Sequence, residues 1–189
     1  MTLLPYLILD ASGSMSFRAS AASPQRRCDV CLHALQLLLA GPCLPSGVHA
    51  FCAAANALAL ATTATRATWE GASAQLPWAG SSFLMPGWRA VLAAHAEAPA
   101  GEAGVVVVLT DGEAHDAAAL CSALEKQLPP SLYAVLCLLG EGPNFERAFA
   151  LFSQLKGAQP RVDVVRLPCE GPAVALALES AFALGRVKM

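Results

Sequence analysis

Charge is scarce in this sequence. Asp, Glu, Lys and Arg make up 14% of its 189 residues, against about 25% in ordinary soluble domains. Twelve basic and 14 acidic side chains leave a formal net charge of -2, so neither a basic footprint for nucleic acid nor a polybasic patch for an anionic membrane is present. Long apolar runs are missing as well. The nearest candidate, Ala50 to Ala64, contains Asn56 and a Thr pair and falls short of the ~20 uninterrupted apolar residues that span a bilayer. Cysteine is too sparse, and odd in number, for a disulfide scaffold: Cys28, Cys31, Cys43, Cys52, Cys121, Cys137 and Cys169 follow no repeating spacing, which points to a reducing compartment. The opening Met-Thr-Leu-Leu-Pro-Tyr-Leu-Ile-Leu-Asp has no basic leader and stops at a charge. It reads as a first strand rather than a signal peptide, and a cytoplasmic location is expected.

What the chain has in excess is apolar residues, 56% of the total and many of them alanine. That is ample for one buried core and excludes disorder. The length fits a single domain over residues 1–189. Apolar runs alternate with amphipathic stretches, the order of an α/β fold with a largely parallel sheet buried on both faces. Tyr6 to Leu9 is the first strand, and a Ser-rich segment follows to Ser23. A helix is expected to open at Pro24, with Val30, Leu32, Leu35, Leu38 and Leu39 at helical spacing, and to end near Gly41-Pro42. Val48 to Ala53 and Leu58 to Thr63 read as strands joined closely enough to form an antiparallel hairpin. Arg66 to Gly87 reads as a loop, and Trp88 to about Ala98 as a helix. Gly104 to Leu109, β-branched almost throughout, should be a central strand. Helices are expected over Asp116 to Gln127, Asn144 to Leu155 and Gly171 to Leu184, with strands over Leu132 to Leu139 and, at the edge, Val162 to Leu167. The expected architecture is a doubly wound, Rossmann-like three-layer sandwich: a six-stranded, mostly parallel sheet with one antiparallel strand, and helices on both faces.

The chemistry gathers at the carboxyl ends of the first strand and the Val-rich strand, where ligands bind in open α/β sheets. Asp10-Ala11-Ser12-Gly13-Ser14 carries three oxygen side chains at alternate positions. In an extended chain these lie about 6.8 Å apart per step, too far to share one ion. The segment must therefore curl, and Gly13 has the backbone freedom to allow it. Curled, it offers one carboxylate and two hydroxyls, a hard oxygen set suited to magnesium, manganese or calcium. Alone, Asp-x-Ser-x-Ser is ordinary loop and cap chemistry, and Asp-Gly an ordinary turn. Here the first motif is followed, in order, by Ala79-Gly80-Ser81-Ser82-Phe83 and by Leu109-Thr110-Asp111-Gly112.

These three motifs resemble the metal-ion-dependent adhesion site of von Willebrand factor type A domains, and the resemblance covers essentially the whole chain. The stand-alone form looks like tellurium-resistance-type A domains, and Leu128 to Asn144 is similar to copine A domains. The resemblance implies the strand order 3-2-1-4-5-6, which brings Asp10 and Asp111 together. It also implies an ion (Mg2+, or Mn2+ or Ca2+) held by Asp10, Ser12, Ser14, Ser81 and Asp111, with the aspartates often acting through water. A protein partner's Asp or Glu carboxylate would complete the shell. The family usually has threonine where Ser81 stands, and Ser82 follows it, so either hydroxyl can serve.

Other readings compete. A phosphohydrolase of the haloacid-dehalogenase type also puts an Asp after its first strand beside magnesium, but it needs a carboxylate two residues on, where Ser12 stands. A serine hydrolase lacks its elbow motif. No catalytic residue is assigned, and an enzyme is not expected. A scaffold domain with a vestigial ion site is a further alternative. Cys28-x-x-Cys31 lacks the second pair a zinc site would need and reads as buried thiols on a helix face. The stretches Leu76-Pro77-Trp78 and Phe83-Leu84-Met85-Pro86 flank the proposed ion, either as a recognition rim or as anchors of the loop.

Overall fold

The computed structural model describes residues 3–53 and 58–188. Six strands form one sheet in the order β3-β2-β1-β4-β5-β6. Strand β1 (Leu3–Asp10) lies between β2 (Val48–Ala53) and β4 (Ala103–Thr110), parallel to both. Beyond β4 come β5 (Leu132–Leu139) and β6 (Val162–Leu167), also parallel, whereas β3 (Leu58–Ala64) runs antiparallel to β2 at the opposite edge. The connection read as a hairpin turn, Ala54-Ala55-Asn56, lies outside the described residues.

Helices cover both faces. On one face α1 (Arg27–Ala40) packs on α6 (Gly171–Lys188) and on α2 (Arg66–Ser73). On the other, α4 (Ala117–Gln127) packs on α3 (Leu84–Ala96) and on α5 (Pro143–Ala158). Strands β4 and β5 are buried along their whole length. Their side chains alternate between two cores: Val105, Val107 and Leu109 face α1 and α6, while Val106 and Val108 face α3 and α4. A strand covered on both sides has no polar face to keep, hence the unbroken apolar runs.

Helices α5 and α6 run past their expected ends, to Ala158 and Lys188, and three helices differ more at their starts. The first helix opens at Arg27, not Pro24, because Ala19 N–H donates to the Gln25 carbonyl and Arg18 bridges Arg26, which holds the preceding segment extended. The stretch read as a loop contains α2, started by the Thr65 N–H donating to Thr68 Oγ1 (2.9 Å) and held by burial of Trp69 and Ala72. Helix α3 begins at Leu84, four residues early. Pro86 falls in its first turn, where the missing N–H costs nothing.

β1 and β4 are neighbours whose onward connections lead in opposite directions, to β2 and to β5. That is the topological switch point, and a crevice for ligands forms at its carboxyl end. Leu9 pairs with Leu109, so Asp10 stands beside Thr110 and Asp111 follows just beyond the strand.

Candidate metal centre

Asp10 is fully buried, and the donors near it come from its own turn, from the neighbouring strand β4 and from the loop before α3. Ser12 N–H donates to Asp10 Oδ1 (3.0 Å), closing a turn over the strand end. Thr110 Oγ1 donates to Oδ2 (2.7 Å) from the neighbouring strand, and Ser82 Oγ donates to the same oxygen (2.8 Å). A 3-10 turn over Gly13–Ser16 supplies the curl that the spacing demands. It brings the hydroxyls of Ser12 and Ser14 to 3.0 Å from each other. Burial and the nearby Asp111 charge push the Asp10 carboxyl above its ordinary value, against the hydrogen bonds from Thr110 and Ser12.

The loop before α3 is stapled to this turn. Gly13 N–H donates to the Gly80 carbonyl (3.0 Å), Ala79 N–H to the Ala11 carbonyl (3.1 Å), and Ser16 Oγ to the Trp78 carbonyl (3.2 Å). This path turns Ser82 inward onto Asp10 and leaves Ser81 exposed. Of the five residues singled out, the structure gathers Asp10, Ser12 and Ser14; it puts Ser82 rather than Ser81 at the carboxylate. The loop's flanks act as anchors: Leu76 and Leu84 are buried, Trp78 packs on the core beneath α1, and Phe83 stacks on His115.

Asp111 is engaged elsewhere. Its Oδ2 accepts from Arg27 Nη1 at 2.7 Å, and its Oδ1 from Glu113 N–H at 3.0 Å. Arg27 Nη1 also donates to the Ser14 carbonyl (3.3 Å), with Glu113 Oε1 3.8 Å away. The Arg27 side chain is 8% exposed. Its guanidinium lies on Gly140, where a Cβ would come within 3.1 to 3.3 Å of it, and its buried Nε has no partner.

Two further residues escaped the sequence reading. Asp116 caps α3 from another loop, accepting from Leu84 N–H and Met85 N–H at 2.8 Å each, where its charge also suits the helix dipole. His115 N–H donates to the Ser82 carbonyl (3.1 Å), so the Asp111 loop and the Ser82 loop are tied twice. The cue for Arg27 was two consecutive arginines opening a helix, a place where the dipole favours acids. Arg26 answers it locally by pairing with Asp29, and Arg27 by reaching Asp111.

Solved structures match this architecture. The fold is von Willebrand factor type A-like. A von Willebrand factor type A protein from Catenulispora acidiphila superposes with a TM-score of 0.68 at 18% identity, over 96% of this chain and 42% of that one. The SpRpn10 VWA domain gives 0.67 at 13% identity over 93% of both chains. The PilB minor pilin from Streptococcus sanguinis gives 0.72 at 11% identity, over 100% of this chain and 61% of that one. The chain thus spans about half the length of two of these matches. No protein-family profile matches the sequence, and no characterised protein matches it.

Within this A-type fold the oxygens at the Asp10 loop suit a hard divalent ion: one buried carboxylate with a lone pair on Oδ1 unused, and the hydroxyls of Ser12, Ser14 and Ser82. Asp111, whose charge is felt by Asp10, is bonded to Arg27 and the Glu113 N–H. Among the described residues no three His, Cys, Asp or Glu side chains gather as a metal cluster, and no disulfide forms. Cys28 and Cys31 are buried, with thiols pushed up chiefly by burial. Among the described residues no helix is long and apolar enough to cross a membrane.

Proposed function

We propose that the domain is a protein-interaction module that grips an Asp or Glu carboxylate of a partner protein through a divalent ion at the Asp10 loop. Asp10, Ser12, Ser14 and Ser82 would hold the ion. Magnesium is the natural occupant of such an oxygen set, with manganese or calcium as substitutes, and it supplies an electrophilic site for a carboxylate. The observation that carries this reading is the convergence on Asp10: a wholly buried carboxylate whose charge burial and Asp111 disfavour, ringed by hydroxyls. A buried anion of that kind calls for a cation. The A-type fold, often used for protein interaction, supports the same reading. Binding needs no turnover.

The test is a calorimetric titration of magnesium and manganese into chelator-treated protein, alongside Asp10→Ala. One-site binding in the wild type and none in the variant is the expected result. Equal heats in both would remove the Asp10 loop from the ion's shell. Absence of any heat in the wild type would favour a scaffold role for the domain.

A further inference from the structure

We propose that Arg27 is a tethered cation that withholds Asp111 from the ion, so that the site binds its metal through one carboxylate and leaves the loaded site positively charged for an incoming one. This rests on the reading of the Asp10 loop as an ion site.

The guanidinium is held through Nη1 and by its contact with Gly140, and the backbone of Arg27 is fixed as well. Its Nη1 bonds Asp111 Oδ2 and the Ser14 carbonyl, its flat face lies on Gly140, and the Arg27 N–H is fixed by the Phe17 carbonyl at 2.9 Å. A Cβ at position 140 would sit 3.1 to 3.3 Å from it, so the guanidinium would have to give way, and Gly140 takes φ +140, a conformation suited to glycine. An arginine in the first helical turn opposes the dipole, and Nε is left without an acceptor. Those costs are offset by the charge-assisted bond to Asp111, a carboxylate otherwise buried beside Asp10.

The charges then decide how the site behaves. Asp10 and Asp111 bring two negative charges and Arg27 one positive, so a divalent ion leaves this buried group with one positive charge in excess. Glu113 lies 3.8 Å from the guanidinium and is partly exposed, so solvent screens its contribution. Were Arg27 absent, the two aspartates alone would neutralise the ion and an external carboxylate would gain less. The ligand class that fits is therefore an acidic peptide side chain, and Arg27 trades affinity for the bare ion against affinity for that anion.

The experiment is a titration of Mn2+ alone into the chelator-treated full chain, comparing wild type, R27M and the pair replacement R27M/D111N, with thermal melts to confirm folding. R27M should bind Mn2+ about tenfold tighter or more, because a fixed positive charge is gone and Asp111 is released. R27M/D111N should stay within about threefold of wild type, since it removes a neutral pair that does not ligate. R27M binding no tighter than wild type would overturn the proposal. So would a loss of about tenfold or more in the double variant, which would make Asp111 a ligand in the wild type. If R27M alone does not fold, the double variant decides. If the wild type shows no binding, the ion reading fails on its own account; binding that appears in R27M would then support the role of Arg27, and none in either would end it.

Discussion

The two ends of the sheet solve the problem of buried polar groups in opposite ways. At the amino end, Tyr6 Oη meets His95 Nδ1 at 3.2 Å, His95 Nε2 meets Ser131 Oγ at 2.8 Å, and Arg161 donates to the Leu128, Pro129 and Leu132 carbonyls. Each of these groups has a hydrogen-bond partner, and the partners are neutral. At the carboxyl end, Asp10 and Asp111 are both buried and only one of them has an arginine. One end is closed by its hydrogen bonds and the other is left with charge to satisfy. The end left with charge is the carboxyl one, where open α/β sheets form their ligand crevice.

The largest contrast is expected from Asp10→Asn. In the ion-bound state it should abolish measurable metal binding. In chelator its effect on stability should be favourable or neutral, because burial and Asp111 raise the folded-state pKa of Asp10. The native state then binds a proton more readily than the unfolded chain, so metal-free stability falls as pH rises from the ordinary carboxylate value through the raised one. Asn cannot ionise and should lose that fall. Melting curves in chelator from pH 4 to 8 check it; a steep drop in melting temperature for the variant at neutral pH would contradict the sign. At the other end Arg161→Ala should behave in reverse, costing about 2 kcal/mol by stranding carbonyls of the α4–β5 connection. Its metal titration should match the wild type.

A smaller effect is expected from Asp116→Asn, which weakens the cap on α3. The loss of a charged cap is worth about 1 kcal/mol. Because Asp116 sets the start of α3 immediately after Ser82, metal affinity should fall several-fold as well, whereas Ser81→Ala should leave it unchanged. A variant that melts earlier yet binds metal like the wild type would reduce Asp116 to a helix cap.

Legibility in the sequence followed how local each determinant is. Strands β4 and β5 were plain because burial on both faces writes itself as an uninterrupted apolar run. Asp10, Ser12 and Ser14 lie within five residues, and the need for the segment to curl followed from strand geometry. Ser81 and Ser82 are identical side chains in adjacent positions, and only the stapling of Ala79 and Gly80 to the Asp10 loop sets which one turns inward. Helix α2 was hidden in a stretch rich in Gly, Pro and Trp, and its start depends on a Thr65–Thr68 bond. Arg27 lies 84 residues from Asp111, a separation at which side-chain pattern carries no signal beyond an arginine out of place.

The subtlest expected effect belongs to the amino end and tests whether that network is as closed as its hydrogen bonds suggest. Burial lowers the pKa of His95, and the Glu102 charge opposes it only in part. Its neighbours Tyr6 and Ser131 are uncharged, so nothing in contact rewards the imidazolium. A histidine whose folded-state pKa lies below the unfolded value of 6.5 gives the unfolded chain the greater proton uptake between the two values. Stability is therefore complete above that range and is lost as pH falls through it. His49, whose pKa burial also lowers and whose ring lies 5.5 Å from that of Tyr6, adds to the same acid limb. His95→Gln should flatten the limb without removing it, His49→Gln should do likewise, and the two together should remove the acid limb in chelator, leaving only the opposite slope that Asp10 contributes. An acid limb undiminished in the double variant would place the sensitivity at the carboxyl end, and the contrast between the two ends would have to be drawn differently.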